Sequence, residues 1–243
     1  MDCIQNVIEY YDELFPVTDA QKEFYEALTG LYPLPAKILR IGCGTGLLEH
    51  TLARKGCDVT GIESSKQILN SANLRRRNQL MSIRFFLMNT DEMKQFLGKG
   101  FYNIISILND RIINLAEPER IQKLLADCRE LLTDDGTLVV GMHNFSQSYD
   151  EQFIQLPVRE SIRVKLFTEI HMNDNGEQLL CQNLETGNGR MLPVTEDVRV
   201  YPLPPDELIS YAKDAGFGTV QLFSDFKRSP FTGSEPEVLA LLS

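Results

Sequence analysis

No C-x-x-C pair occurs in the 243 residues, and the five cysteines, Cys3, Cys43, Cys57, Cys128 and Cys181, are odd in number. That usage argues against a disulfide framework and for a reducing compartment. No apolar run is long enough to span a bilayer, and Asp2, Glu9, Asp12 and Glu13 interrupt any leader-like stretch near the start. The expected location is therefore cytoplasmic, with no membrane partner. Positive charge is also scarce: 24 Lys and Arg stand against 34 Asp and Glu, a net charge of −10, which repels polyphosphate and argues against nucleic acid as a partner. The one basic run, Arg75-Arg76-Arg77, falls at the expected end of a helix, where cations oppose the helix dipole and a solvated structural role is expected. Neither a catalytic triad nor metal-ligand spacing is legible, and low-complexity tracts are absent. A hydrophobic content of 43% suffices for one domain with a small insertion.

What the chain does have is concentrated at one corner. Lys37 to Ile41 reads as a strand, Gly42-Cys43-Gly44-Thr45-Gly46 as a tight turn, and Leu47 onward as a helix whose Leu48, Leu52 and Ala53 share a face before Gly56 stops it. Backbone without side chains can approach a ligand closely, and the helix start offers unpaired N–H groups. The dinucleotide fingerprint G-x-G-x-x-G would need glycine at position 47, where Leu47 stands, so a nicotinamide-dependent oxidoreductase is disfavoured. A second strand, Asp58 to Ile62, closes on Glu63, and Ser64-Ser65 offers a cap for a helix carrying Ile68, Leu69 and Ala72.

Taken together, Ile38 to Ala72 resembles the opening of a class I S-adenosylmethionine-dependent methyltransferase, whose glycine turn is followed about twenty residues later by an acidic strand end. The resemblance implies that Glu63 accepts both ribose hydroxyls of S-adenosyl-L-methionine. It implies a wider cofactor set of Gly42, Cys43, Gly44, Gly46, Leu47, Glu63, Ser64, Asn89, Thr90, Leu108 and Asn109. Asn89 follows the strand Ile83 to Met88 at the family's adenine-reading position, where an amide oxygen can accept the bond that the family's Asp accepts. Two further departures are Arg40 and Tyr102, each standing where the family has Asp. Loss of three acidic groups around a cationic ligand keeps open a rival reading, a cofactor-binding protein without transferase activity.

The same resemblance implies an α/β fold, a Rossmann-like seven-stranded mostly parallel sheet with helices on both faces. Phe101 to Leu108 reads as its buried fourth strand, and Pro118 opens a helix striped by Ile121, Leu124, Leu125, Cys128, Leu131 and Leu132. A turn at Thr133-Asp134-Asp135-Gly136 then leads into Thr137 to Met142. Residues 159–201 break the rhythm with three alternating segments, an antiparallel β insertion expected to cap the substrate or make a dimer contact and to leave cofactor affinity unaffected. The organisation is thus residues 1–158 (lid helices and cofactor-binding core), 159–201 (insertion) and 202–243 (completion of the core). The chain resembles small-molecule N-methyltransferases of the glycine/sarcosine and amino-sugar type, and lacks the [D/N]-P-P-[Y/F] loop used for planar amide-like nitrogens. An amine must lose its proton before attack, and His143, Tyr11 or Asp110 could assist. The expected partner is a small-molecule substrate, with methylation of a hydroxyl as the alternative to an amine nitrogen, and the expected state a monomer or homodimer.

Overall fold

The computed structural model describes residues 3–76, 82–146 and 152–243. Arg77 of the basic run lies outside them, as does the side chain of Arg76. Three helices open the chain, α1 (Gln5–Ile8), α2 (Tyr11–Leu14) and α3 (Asp19–Thr29), the last capped by the Thr18 hydroxyl, which accepts from the Gln21 N–H at 3.2 Å. The alternating core follows: β1 (Lys37–Ile41), α4 (Leu47–Arg54), β2 (Asp58–Glu63), α5 (Lys66–Arg76), β3 (Ile83–Leu87), α6 (Met93–Phe96), β4 (Tyr102–Ile107), α7 (Pro118–Leu131) and β5 (Leu132–His143). After the insertion, α8 (Pro205–Asp214), β11 (Val220–Phe223) and β12 (Glu237–Leu242) complete it, the intervening labels β6 to β10 belonging to the inserted strands described below.

The main sheet runs β11-β12-β5-β4-β1-β2-β3. β1 through β5 pair parallel, while β12 is antiparallel to both of its neighbours, β5 and β11. Central strands covered on both faces are near-continuous apolar runs, and Ile38, Leu39, Ile104, Ile105, Leu138, Val139 and Val140 are all fully buried. The chain leaves β1 for β2 on one side and returns as β4 on the other, so a crevice opens beyond the carboxyl ends of β1 and β4, where open α/β sheets bind ligands.

Local details differ from the sequence pattern at β5. Leu132 and the Thr133–Gly136 stretch belong to that strand rather than to a helix end and a turn, because Tyr102 pairs with Leu132 before a register shift realigns Ile104 with Thr137. The residue pattern shows the polar stretch but not the irregular pairing that keeps it extended.

The inserted sheet is larger than the three strands expected. The three are present as β8 (Val164–Met172), β9 (Gln178–Thr186) and β10 (Met191–Arg199), and two short strands, β6 (Phe153–Gln155) and β7 (Arg159–Glu160), precede them. Both pair with the edge of β8 that β9 leaves open, β7 near its start and β6 near its end. Runs of two and three residues carry no periodic signal, so β6 falls before the expected boundary at 159 and goes unseen in the pattern.

This sheet does not stand apart from the core. Val7 and Leu14 of the N-terminal helices form one buried cluster with Val164, Leu166, Leu184 and Val194 of the insertion. The Cys3 N–H donates to Val194 O at 2.8 Å, and Arg163 reaches Glu9 at 3.0 Å and Glu13 at 2.9 Å. Each buried aliphatic side chain is worth about 1.5–3 kcal/mol, so the N-terminal helices are held by the insertion. The expectation that the insertion leaves the cofactor cradle unaffected therefore changes, since the same helices carry Tyr11 and Asp12 onto the glycine turn.

Candidate active site

Gly42, Gly44 and Gly46 take φ values of 69°, 61° and 77°, a region costly for any residue with a Cβ. Gly44 shows why the cradle needs glycine. A Cβ there would sit 2.6 Å from the Tyr11 hydroxyl oxygen, and one at Gly42 would sit 2.9 Å from Arg111 Cγ. Gly46 has another duty: its missing Cβ admits the Phe85 ring, whose Cζ would lie 2.6 Å away, so it serves helix-to-strand packing rather than ligand approach. Gly44→Ala is expected to lower unfolding free energy by about 1–2 kcal/mol from backbone strain and to weaken cofactor binding by displacing Tyr11. Denaturant unfolding and calorimetry together check both halves.

Glu63 ends β2 with its side chain 3% exposed. One carboxylate oxygen accepts from the backbone N–H of Ser64 at 2.9 Å and of Ser65 at 3.1 Å, and the other from the Gly44 N–H at 3.1 Å. The Ser64 hydroxyl adds a longer contact of 3.4 Å to the first oxygen, so the acceptor position left open is on the oxygen that faces Gly44. Ser65 also caps α5, its hydroxyl accepting from Ile68 N at 3.4 Å.

The N-terminal segment lies directly over this corner. Asp12 accepts hydrogen bonds from the Thr45 hydroxyl of the glycine turn and from Arg75, whose Nε also reaches Thr45 O at 3.2 Å. Arg75 is thus tied to the turn, contrary to the solvated role expected of the basic run. Tyr11, 7% exposed, packs at a tilt against Phe15 with ring centroids 4.8 Å apart and accepts from Arg111 Nη2 at 3.1 Å. The Tyr11 oxygen outweighs burial, and Glu63 adds to it, in holding the Arg111 guanidinium protonated above its ordinary value.

Beyond β4, Asn109 and Asp110 both adopt left-handed backbone, φ 57° and 58°, two consecutive non-glycine residues in a region that costs energy and persists only where surroundings enforce it. The enforcement is visible. Asp110 accepts from the His143 backbone N–H at 2.6 Å with one oxygen and faces His143 Nδ1 at 2.7 Å with the other, joining the carboxyl ends of β4 and β5. An acceptor at Nδ1 assigns the proton of the neutral ring to that nitrogen and leaves Nε2 as the basic one.

These groups line two neighbouring cavities. The larger, about 290 Å³, is bounded by Tyr11, Phe15, Asn109, Asp110 and His143 on the core side and by Thr168, Gln182 and Thr195 on the insertion side. The smaller, about 180 Å³, holds Gly42, Asn89 and Thr90, with Asn89 held by its backbone N–H donating to Glu92 at 2.9 Å. Glu63, Ser64, Arg111 and Asn114 belong to both. Leu108 is packed in the core, 2% exposed, and lines only a side recess next to Gly141. Cys43 is likewise buried, its thiol pushed well up chiefly by burial, and Leu47 opens α4 outside both cavities. Arg111, Thr168, Gln182 and Thr195 were not legible as site residues: a lone arginine after a strand and polar residues on alternating strands carry no motif.

The three departures from the family's acidic residues are accounted for separately. Arg40 is buried and donates to Glu49 at 3.0 Å and to Ser106 O at 3.1 Å, an internal ion pair rather than a charge in the cradle. Tyr102 is buried at the start of β4, hydrogen-bonded to Thr60 and remote from the strand ends. Only Asn89 lies on a cavity wall.

Residues 38–136 match the model of a family described as a methyltransferase domain. A protein named as a methyltransferase from Geobacillus sp. (strain WCH70) is 32% identical over 108 residues, 44% of this chain and 42% of that protein. The chain spans between about a quarter and one half of the length of the curated relatives it matches, ubiquinone biosynthesis O-methyltransferases among them. Among solved structures, the CcbJ methyltransferase from Streptomyces caelestis superposes with TM-score 0.77 at 21% identity, covering 93% of this chain and 89% of that one. CalS10, an amino pentose methyltransferase from Micromonospora echinaspora solved with bound S-adenosylmethionine, gives 0.66 at 15% identity over 98% and 97%. The stretch 38–136 is thus similar to a methyltransferase domain, and the fold is that of S-adenosylmethionine-dependent methyltransferases of known structure. The residues present fit that cofactor: a turn with glycine at three alternate positive-φ positions, an immobilised carboxylate nineteen positions on from Gly44 and an amide at the third strand end.

Proposed function

We propose that this methyltransferase domain works on a small acceptor and transfers the methyl group to an amine nitrogen, with His143 as the base that takes the nitrogen's proton. S-adenosylmethionine supplies the reactivity, an electrophilic methyl on a sulfonium. Gly42, Glu63 and Asn89 would hold it along the glycine turn, and Tyr11, carried by the N-terminal helices, would close over it and exclude water. The observation that carries the reading is the Asp110–His143 pair, 2.7 Å apart, on the wall of the cavity that Glu63 also lines. An ammonium has no lone pair, so proton removal must precede attack, and a histidine oriented by a carboxylate does this near neutral pH. The amino pentose activity of CalS10 supports nitrogen as the target, and the relatives that methylate hydroxyls make oxygen the competing one.

The test offers purified protein and S-adenosylmethionine to paired acceptors, amino sugars and amino acids against their hydroxyl counterparts and catechols, with methylated products read by mass spectrometry. Methylation of amines at least tenfold faster than of the matched hydroxyl compounds is expected. Turnover confined to hydroxyl acceptors would overturn the nitrogen assignment, and tight S-adenosylhomocysteine binding without turnover of any acceptor would favour the cofactor-binding rival.

A further inference from the structure

The outer face of the inserted sheet carries a cluster that takes no part in the cavity. On β8 and β9, Thr168 pairs with Gln182 and Ile170 with Leu180, and these residues face inward. The alternate positions His171, Glu169 and Cys181 therefore face outward. The third strand supplies an acid through an irregularity. Between Thr195, opposite Gln182, and Val198, opposite Leu180, β10 has two residues, Glu196 and Asp197, where regular pairing with β9 allows one opposite Cys181. Asp197 takes φ 51° at this bulge.

The result is a thiol, an imidazole and a carboxylate from three adjacent strands. Cys181 Sγ lies 3.3 Å from Asp197 Oδ1 and 4.0 Å from His171 Nδ1, and His171 Nε2 lies 3.4 Å from Asp197 Oδ1. One ligand atom from each residue lies within 4.8 Å of the others. With metal–ligand distances of about 2.0–2.3 Å, tetrahedral geometry puts ligand atoms roughly 3.3–3.6 Å apart, so a shift of about an ångström and a turn of the ring suffice. The side chains of His171 and Asp197 are 37% and 66% exposed, so an ion can reach them from solvent. Glu169, directly opposite Cys181 in the β8–β9 register, adds negative charge on the same face.

We infer that His171, Cys181 and Asp197 form a binding site for a divalent transition-metal cation of the zinc class, with a fourth position left to solvent. Thiolate with imidazole selects zinc, cobalt or copper over magnesium or calcium, which prefer all-oxygen sites. The ion would bind as the Cys181 thiol releases its proton to solvent, with no change of oxidation state. Bound there, it would clamp β8, β9 and β10 together, and Thr168, Gln182 and Thr195 on their inner face line the cavity. Burial pushes the Cys181 thiol up from its ordinary value, against the Asp197 backbone N–H, which lowers it, and with the Asp197 and Glu169 carboxylates, which raise it. Metal uptake must displace that proton, so affinity rises with pH below the thiol's pKa and falls as the solution is acidified.

The experiment uses the untagged full chain, freed of metal by chelation and kept reduced, titrated with Co²⁺ and then Zn²⁺. A thiolate-to-cobalt charge-transfer absorption saturating at one equivalent, and removed by one equivalent of Zn²⁺, is expected. Cys181→Ser should abolish that band, and His171→Gln and Asp197→Asn should each weaken Co²⁺ binding at least tenfold, with circular dichroism unchanged in all three. A wild-type protein that shows no charge-transfer band, or a band equally strong in Cys181→Ser, would overturn the site. Because the readout is spectroscopic, its failure is distinct from failure of methyl transfer.

Discussion

His143→Ala is expected to lower kcat by about a hundredfold to ten-thousandfold at neutral pH, the range that a positioned general base contributes, while S-adenosylhomocysteine affinity stays within severalfold of the parent. The separation follows from geometry: His143 lines the larger cavity with Asp110, whereas Gly42 and Asn89 line the other. The pH profile distinguishes chemistry from packing. Without the base, the acceptor must arrive already neutral, and the neutral fraction of an ordinary amine of pKa about 10.4 rises tenfold per pH unit below that value. The variant's rate should therefore climb with pH where the parent's has levelled. A second variant, Asp110→Asn, tests the orientation. Both Asp110 oxygens face nitrogen, one the backbone N–H of His143 and the other Nδ1, so an amide must turn its NH₂ group toward one of them. Facing the ring, it would move the proton to Nε2 and remove the base. Wild-type kcat in both variants would show that the acceptor needs no proton acceptor from this pair.

Glu63→Ala should weaken S-adenosylhomocysteine binding by about tenfold to a thousandfold, since charged hydrogen bonds contribute roughly 1.5–3 kcal/mol each and 1.4 kcal/mol is tenfold in affinity. Its burial excludes a solvated strand-end charge, and its existing bonds change what the conservative variant should do. Glutamine keeps one acceptor oxygen, which from sequence would make Glu63→Gln the milder change. In the fold, however, one side of the carboxylate faces Gly44 N–H and the other the Ser64 and Ser65 N–H pair. An amide NH₂ must confront one of these, leaving buried donors unpaired at about 1–3 kcal/mol. Glu63→Gln is thus expected to lose at least tenfold in affinity and to unfold at lower denaturant than the parent. Calorimetry on variants shown to be folded decides the matter, and unchanged affinity in both would remove Glu63 from the cofactor site.

Much of this was decided locally. The glycine turn, the acidic strand end nineteen residues on from Gly44, the serine cap and the apolar runs of the central strands each lie within a few residues of what they govern. Strand and helix periodicities announced them, and the seven-stranded order followed from the family that they resemble. The sequence alone also identified His143 and Asp110 as candidates, one at each of two strand ends. What it could not decide was anything joining residues distant in the chain. The Asp110–His143 pair depends on β4 and β5 lying side by side and on two left-handed residues after β4. The neutralisation of Arg40 depends on Glu49 turning inward from α4, and the anchoring of Tyr11 and Asp12 on packing against an insertion about 150 residues later. The His171–Cys181–Asp197 cluster needs a bulge that no alternation reveals, with its members ten and sixteen residues apart on separate strands. Periodicity reports which face a residue takes on its own element, because that is set by local backbone geometry. Which residue it then meets is set by strand order, register and packing, and these are properties of the folded whole.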